Sequence, residues 1–284
     1  MSELITKTRE ICRLFEIKPA RSKGQNFLIN EKIYSDLVKA AELKPTDEVL
    51  EVGPGLGFLT ARLAGQVKRV VAVELDDKLA AYLQMAIDAQ GTGNVEIVNQ
   101  DILRFNPDQY FDPIRSYKIV ANLPYNISSV FLRNFLSLPN KPRSLVLMLQ
   151  KEVAERIVAR PPAMNLLAVS VQYYAQAEII RVVKAGNFWP EPEVDSAVIR
   201  LKLSESQSSE ISLVEDKIFF RIVRAGFSAK RKMLKNNLSA GLNIKAEDVL
   251  TILSALKLDP KIRAEGLSLE NWRNLVAALK GFML

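Results

Sequence analysis

Four residues, Asn122-Leu123-Pro124-Tyr125, combine types that can act on a planar amine. They follow a short apolar run at 118–121, where a buried strand would turn out of its sheet. The Asn122 side-chain oxygen and the carbonyl of Leu123 or Pro124 are acceptors that can converge on one point. Pro124 stiffens the turn and brings no competing N–H. Tyr125 can stack on a flat ring and exclude water. An amino nitrogen on an aromatic ring is a poor nucleophile because its lone pair is delocalised into the ring. Two acceptors aimed at its two N–H bonds favour a pyramidal nitrogen and localise that pair. Rate then comes from positioning and from acceptors that bind better in the transition state. No general base is needed before attack, since the amine becomes strongly acidic only once alkylated. The chain has no histidine, which removes Ser-His-Asp triads and nearly every catalytic zinc site.

The group to be transferred needs a donor, and earlier positions describe its seat. Glu51-Val52-Gly53-Pro54-Gly55-Leu56-Gly57 follows an apolar run at 48–52. Gly53 and Gly55 let the backbone turn tightly and let a ligand touch it. A dinucleotide fold would space its glycines G-x-G-x-x-G, whereas here the spacing is G-x-G-x-G. A second run ends at Glu74, 21 residues after Gly53, with Leu75 beside it. A carboxylate there can accept from both ribose hydroxyls of a nucleoside. A third run leads to Asp101 and Ile102, an acceptor for an adenine amino group and an apolar face for its ring. The order of glycine loop, acid and second acid resembles class I S-adenosylmethionine methyltransferases over residues 48–149. That resemblance implies S-adenosylmethionine as the cofactor. The tetrapeptide itself looks like the signature of methyltransferases acting on planar amino groups.

These positions require a sheet with its strand ends on one side. Apolar runs at 48–52, 69–74, 95–98, 118–121 and 144–149 have the length of strands buried on both faces. Helical patterns at 58–65, 77–89 and 127–138 separate them. The alternation predicts an α/β, Rossmann-like, mostly parallel sheet. Asn30, and Ser128 or Asn126, fit helix N-caps. Residues 178–184 and 196–203 read as antiparallel strands added to that sheet, with a loop at 185–195. A helix is expected from 150 to 160, where Pro161-Pro162 stops it, and another over 165–175. The serine-rich stretch at 203–209 reads as a linker. Beyond it only helical patterns appear, at 213–225, 229–238, 246–256 and 269–279. The expected domains are 1–204, carrying catalysis, and 205–284, a small α-helical unit that binds RNA.

The 284 residues carry a net charge of +7, which favours a polyanionic partner. Six basic residues lie between Lys7 and Lys23, among them Arg21 and Lys23, and seven between Glu215 and Ala240. Two basic segments suggest a surface that grips phosphates at two places. The single cysteine, Cys12, allows no internal disulfide and fits an apolar helix face. No metal is expected. No apolar run approaches a membrane span, and the first residues contain no apolar signal region, so a cytoplasmic protein is expected. The lack of a long apolar heptad makes a monomer the expectation.

Nearly the whole chain is similar to the small-subunit ribosomal RNA adenine N6,N6-dimethyltransferases. The first shared motif, Gly24-Gln25-Asn26-Phe27-Leu28, implies that Asn26 and Leu28 contact the cofactor. Lys23 stands before it where the family usually has Leu or Phe. The resemblance also implies cofactor roles for Gly53, Gly55, Glu74, Leu75, Asp101, Ile102 and Asn122. Phe188 opens a later motif running to Val198, and the resemblance implies that Phe188 and Tyr125 sandwich the target adenine. The motif from Phe227 to Leu238 matches, with Met233 where Thr is usual. There Lys230, Arg231, Lys232 and Lys235, with Arg224 just upstream, would hold RNA phosphates. The implied substrate is a pair of adjacent adenosines in the 3′-terminal hairpin loop of small-subunit RNA, free or in a pre-assembled 30S-type subunit. Both would be dimethylated and, since stacked adenine is unreachable, looped out or flipped. A large-subunit RNA methyltransferase of the macrolide-resistance type is a near alternative, although those more often carry Ile at the place of Leu123. A non-catalytic assembly or transcription factor on the same fold is another. A DNA adenine methyltransferase would more often carry Asp where Asn122 stands.

Overall fold

The computed structural model describes residues 3–19, 24–112, 117–203 and 213–282. Each sequence run that is apolar over four to six residues becomes a strand. In chain order the elements are α1 (Glu3–Leu14), β1 (Phe27–Leu28), α2 (Glu31–Ala40), β2 (Glu48–Val52), α3 (Phe58–Ala64), β3 (Arg69–Glu74), α4 (Asp77–Gln90), β4 (Val95–Asn99), β5 (Lys118–Asn122), α5 (Ser128–Ser137), β6 (Ser144–Gln150), α6 (Lys151–Ile157), α7 (Leu166–Gln172), β7 (Ala175–Val183), β8 (Phe188–Trp189), β9 (Ser196–Leu203), α8 (Leu213–Gly226), α9 (Leu234–Leu242), α10 (Ala246–Ala255) and α11 (Leu269–Leu279). No described helix is long and apolar enough to cross a membrane.

The strands form a seven-stranded sheet in the order β4-β3-β2-β5-β6-β9-β7. Strands β2 to β6 run parallel, and β9 lies antiparallel to β6 from Ser144↔Lys202 to Gln150↔Ser196. Central positions such as Leu50, Val71, Ile119 and Leu147 are fully buried. Burying one such side chain contributes roughly 1.5–3 kcal/mol. From β2 the chain moves outward to β3 and β4, then returns to the other side of β2 as β5. That reversal opens a crevice at the carboxyl ends of the strands, the place where such sheets bind ligands.

Local chemistry sets the helix starts, not always as expected. Asn30 caps α2 by accepting from the Lys32 N–H at 3.0 Å. Asp76 caps α4 by accepting from Lys78 and Leu79. Neither Asn126 nor Ser128 caps α5, whose N-cap position is Ile127. Ser128 is the first residue of that helix, and its hydroxyl donates back to the Pro124 carbonyl at 3.3 Å. The 185–195 segment, expected as loop throughout, contains β8. It pairs antiparallel with β1 through Phe27↔Trp189 and Leu28↔Phe188. The Asn30 side chain donates to Asn187 Oδ1 at 2.7 Å beside that ribbon.

The chain divides into two compact units, Met1–Ala154 with Gln176–Leu203, and Glu155–Ala175 with Ser204–Leu284. The single boundary expected near 205 therefore misses an earlier excursion. Residues 155–175 join the helical unit because their aromatic end is tied to α8. Tyr173 stacks on Phe219 with ring centroids 4.1 Å apart. The Tyr173 and Tyr174 hydroxyls donate to the two oxygens of Asp216 at 3.0 and 2.8 Å. The helix expected over 229–238 begins only at Leu234. Asn237 is buried and donates to the carbonyls of Gly226 and Ala229, which fixes the preceding residues as a turn.

Candidate active site

A cavity of about 280 Å³ lies at the carboxyl ends of β2, β3, β4 and β5. Its floor is the turn after β2. Gly53, Gly55 and Gly57 all adopt positive φ, at 62°, 56° and 77°. That left-handed conformation costs other residues roughly 1–2 kcal/mol. A side chain at Gly55 would also sit 3.2 Å from the Phe27 ring. The glycines thus leave backbone, rather than side chains, facing the cavity.

Glu74 closes β3 and is 6% exposed. One oxygen accepts from the Gly55 N–H at 3.1 Å and the other from the Asp76 N–H at 2.9 Å. Burial raises its pKa, and those backbone bonds pull it back. A carboxylate has about four acceptor sites, so both oxygens keep capacity for ligand hydroxyls. Asp101 accepts from the Leu103 N–H at 2.9 Å and borders the same cavity beside buried Ile102. Leu75 also lines it and is 57% exposed, an apolar side chain held open at the rim. Asn26 and Leu28 complete the wall from the strap that contains β1.

The sequence reading saw only an acidic residue before the glycines and gave it no role. Glu51 is 1% exposed, lines the cavity, and its Oε2 has no hydrogen-bond partner among the described residues. Burial pushes its carboxyl up to about 8; the nearby Thr60 hydroxyl lowers it and Glu74 raises it further. The signal is an acid in the interior of a largely apolar strand, beyond the Glu48 that begins it. Two buried carboxylates beside a glycine floor favour a ligand with positive charge and several donors. S-adenosylmethionine fits that donor set: it carries hydroxyls, an ammonium and a sulfonium, together with an adenine for the apolar rim.

Asn122 reaches the cavity from the end of β5. Its Nδ2 donates to the Asn26 carbonyl at 3.3 Å. A carbonyl can only accept, so the amide orientation is fixed by its partner and Oδ1 is left as the outward acceptor. The Leu123 N–H donates to the Met148 carbonyl at 3.1 Å. The Pro124 carbonyl accepts from both the Ile127 N–H and the Ser128 hydroxyl. Among the described residues nothing donates to the Leu123 carbonyl, although Leu123 is 1% exposed and does not line the cavity, while Pro124 does. Tyr125 is half-buried and shares a 2.7 Å hydrogen bond with Ser196.

Phe188 is 3% exposed and sits opposite Leu28 in the β1–β8 ribbon within the core cluster; like Tyr125, it is not among the residues lining the cavity. In the helical unit, Arg224, Lys230, Arg231 and Lys232 are exposed and Lys235 is half-buried. They cluster in sequence at the end of α8, the turn after it and the start of α9. Arg21 and Lys23 lie outside the described residues.

Known proteins share the sequence and fold of this chain. The ribosomal RNA adenine dimethylase family profile matches residues 18–280. The ribosomal RNA small subunit methyltransferase A of Dehalococcoides mccartyi (strain CBDB1) is 42% identical over 98% of this chain and 94% of its own. The protein of that name from Clostridium botulinum (strain Okra) is 39% identical over 94% and 96%. Among solved structures, a dimethyladenosine transferase from Plasmodium falciparum has a TM-score of 0.75 at 25% identity, covering 90% of this chain and 98% of that one. The 23S rRNA methyltransferase ErmE has a TM-score of 0.72 at 25% identity, over 90% and 100%. The chain belongs to the ribosomal RNA adenine dimethylase family, enzymes that methylate rRNA adenine with S-adenosylmethionine.

Proposed function

We propose that this enzyme dimethylates N6 of two adjacent adenosines in the 3′-terminal hairpin loop of small-subunit rRNA. It acts as a monomer in the cytoplasm, on that RNA either free or in a pre-assembled 30S-type subunit. The observation that carries the reading is the pose of Asn122. With Nδ2 committed to Asn26, Oδ1 accepts one N6–H of the target, and the Leu123 or Pro124 carbonyl accepts the other. Bound S-adenosylmethionine supplies an electrophilic methyl group. Asn122 and the backbone carbonyl hold the amine pyramidal, with its lone pair localised for attack. Tyr125 stacks on one face of the extruded base, worth ~1–3 kcal/mol. Once N6 has gained carbon it is acidic enough to lose its proton to water, so no side-chain base is required. Glu74 takes the cofactor ribose, Asp101 its adenine amino group, and Leu75 and Ile102 its ring faces. Asn26, Leu28, Gly53 and Gly55 complete the seat.

Arg224, Lys230, Arg231, Lys232 and Lys235 hold RNA phosphates, with Arg21 and Lys23 as a second grip. The 42% identity to a small-subunit enzyme, against 25% to the 23S enzyme, supports the smaller subunit as substrate. Mass analysis of both ribosomal RNAs from cells lacking the protein tests the assignment. Loss of two dimethyladenosines from the small-subunit loop, restored by wild type but not by Asn122→Ala, is the expected result. Loss confined to the large-subunit RNA would overturn the choice of substrate.

A further inference from the structure

The mechanism asks Tyr125 to present a ring face, yet it gives the phenol hydroxyl no task. That hydroxyl lies 2.7 Å from Ser196 Oγ. Ser196 is fully buried and begins β9, paired with Gln150 of β6. The residue before it is pinned three times. The Asp195 carbonyl accepts from the Lys151 N–H at 2.9 Å. Asp195 Oδ1 accepts from the Ala185 N–H at 3.1 Å, and Oδ2 pairs with Lys184 at 2.8 Å. Ser196 is therefore a rigid post at the sheet's end. Tyr125 is its opposite, a half-buried ring in a short turn after Pro124. Among the described residues no other hydrogen bond reaches its hydroxyl. A buried hydroxyl stripped of its partner carries a desolvation penalty, so the ring is held where the bond survives. Burial raises the phenol pKa and keeps it neutral.

We propose that Ser196 is a positioning residue for methyl transfer: through its hydrogen bond it fixes the plane of the Tyr125 ring on which the adenine stacks. The claim rests on the stacking role given to Tyr125 above. Ser196 is fully buried and does not line the cavity. It acts through Tyr125, and it joins the motif that begins at Phe188 to the reactive turn.

A double-mutant cycle tests this with Ser196→Ala, Tyr125→Phe and the pair, on the full chain with its RNA substrate. Each single change is expected to lower kcat about tenfold, as the loss of one hydrogen bond and of ring placement would. KM for S-adenosylmethionine and RNA affinity should stay within about twofold. The double variant should be no slower than the slower single one, because both remove the same bond. RNA carrying 2-aminopurine at the target position gives a readout independent of turnover: the variants should quench it less than wild type. Tyr125→Phe reaches the bond without touching β9, so poor folding of Ser196→Ala would not leave the question open. Wild-type kcat in Ser196→Ala, multiplied losses in the double variant, or losses that follow the melting temperature would each overturn the proposal. Tyr125→Ala separates the two claims. If it still transfers methyl groups, the stacking role fails first; if it is inactive while Ser196→Ala is normal, only the role of Ser196 fails.

Discussion

The turns after β2 and β5 face one cavity and are built on opposite plans. The glycine turn 53–57 offers backbone, with three positive φ angles and two buried carboxylates close by. The 122–125 turn offers side chains and a free carbonyl, each steadied from a different segment. Asn26 holds the Asn122 amide, Met148 holds the Leu123 N–H, and Ser196 holds the Tyr125 hydroxyl. The first plan suits a ligand that must bind and leave unchanged in shape apart from one methyl group. The second suits a reacting atom, where direction matters more than affinity. Substitutions on the two sides should therefore separate binding from rate.

The largest effect belongs to the reactive turn. Asn122→Ala removes an acceptor that matters most in the transition state. By analogy with losing one oxyanion-hole donor, kcat should fall about 10²- to 10³-fold or more, with RNA affinity unchanged. Single-turnover kinetics with saturating cofactor measures this. An effect seen mainly in KM would erase the contrast between the two turns. A smaller loss is expected in the helical unit. Reversing the charge of exposed Arg231 and Lys232 should weaken RNA binding about tenfold or more and lower the salt slope by about 1.5. Titrations at several salt concentrations check it, and an unchanged slope would make these residues a solvated face. On the glycine side, Gly55→Ala meets both a φ of 56° and the Phe27 ring at 3.2 Å. Roughly 1–2 kcal/mol of strain should raise the cofactor Kd about tenfold and leave single-turnover rate at saturation within a few-fold. Calorimetry against the same protein's kcat decides.

The same contrast explains what could be read in the sequence. Both turns were legible because parallel strands buried on both faces are unbroken apolar runs, and each ends in residues that break the pattern. Glu74 and Asp101 followed from their spacing. Glu51 was visible as a residue but not as a buried, unpartnered one, since its burial depends on β3 and β5 packing on either side. The β1–β8 ribbon is two residues per strand and carries no periodicity. Without it, the burial of Phe188 opposite Leu28 could not be foreseen. The 155–175 excursion depends on Asp216 accepting from two tyrosines more than forty positions earlier in the chain, a contact that no local window contains.

The smallest predicted effect lies with Glu51, and it sharpens the comparison because it is electrostatic rather than geometric. Its carboxyl titrates near 4.5 when unfolded and about 8 when folded. Between those values the unfolded chain binds fewer protons than the native one, so stability falls as pH rises through that window. Above about 8 the loss is complete. Glu51→Gln cannot ionise and lacks this slope. In the cofactor-free protein its melting temperature should exceed that of wild type by a margin that grows from pH 5 to pH 8.5. A cationic ligand reverses the preference by stabilising the ionised carboxylate. Wild-type affinity for S-adenosylmethionine should therefore rise toward pH 8, with proton release detectable as a buffer-dependent binding enthalpy, while the variant shows neither. A pH-independent difference in melting temperature would mean that Glu51 is already ionised in the empty cavity. In that case its charge would already be present for the ligand, and neither the rise in affinity nor the proton release would appear.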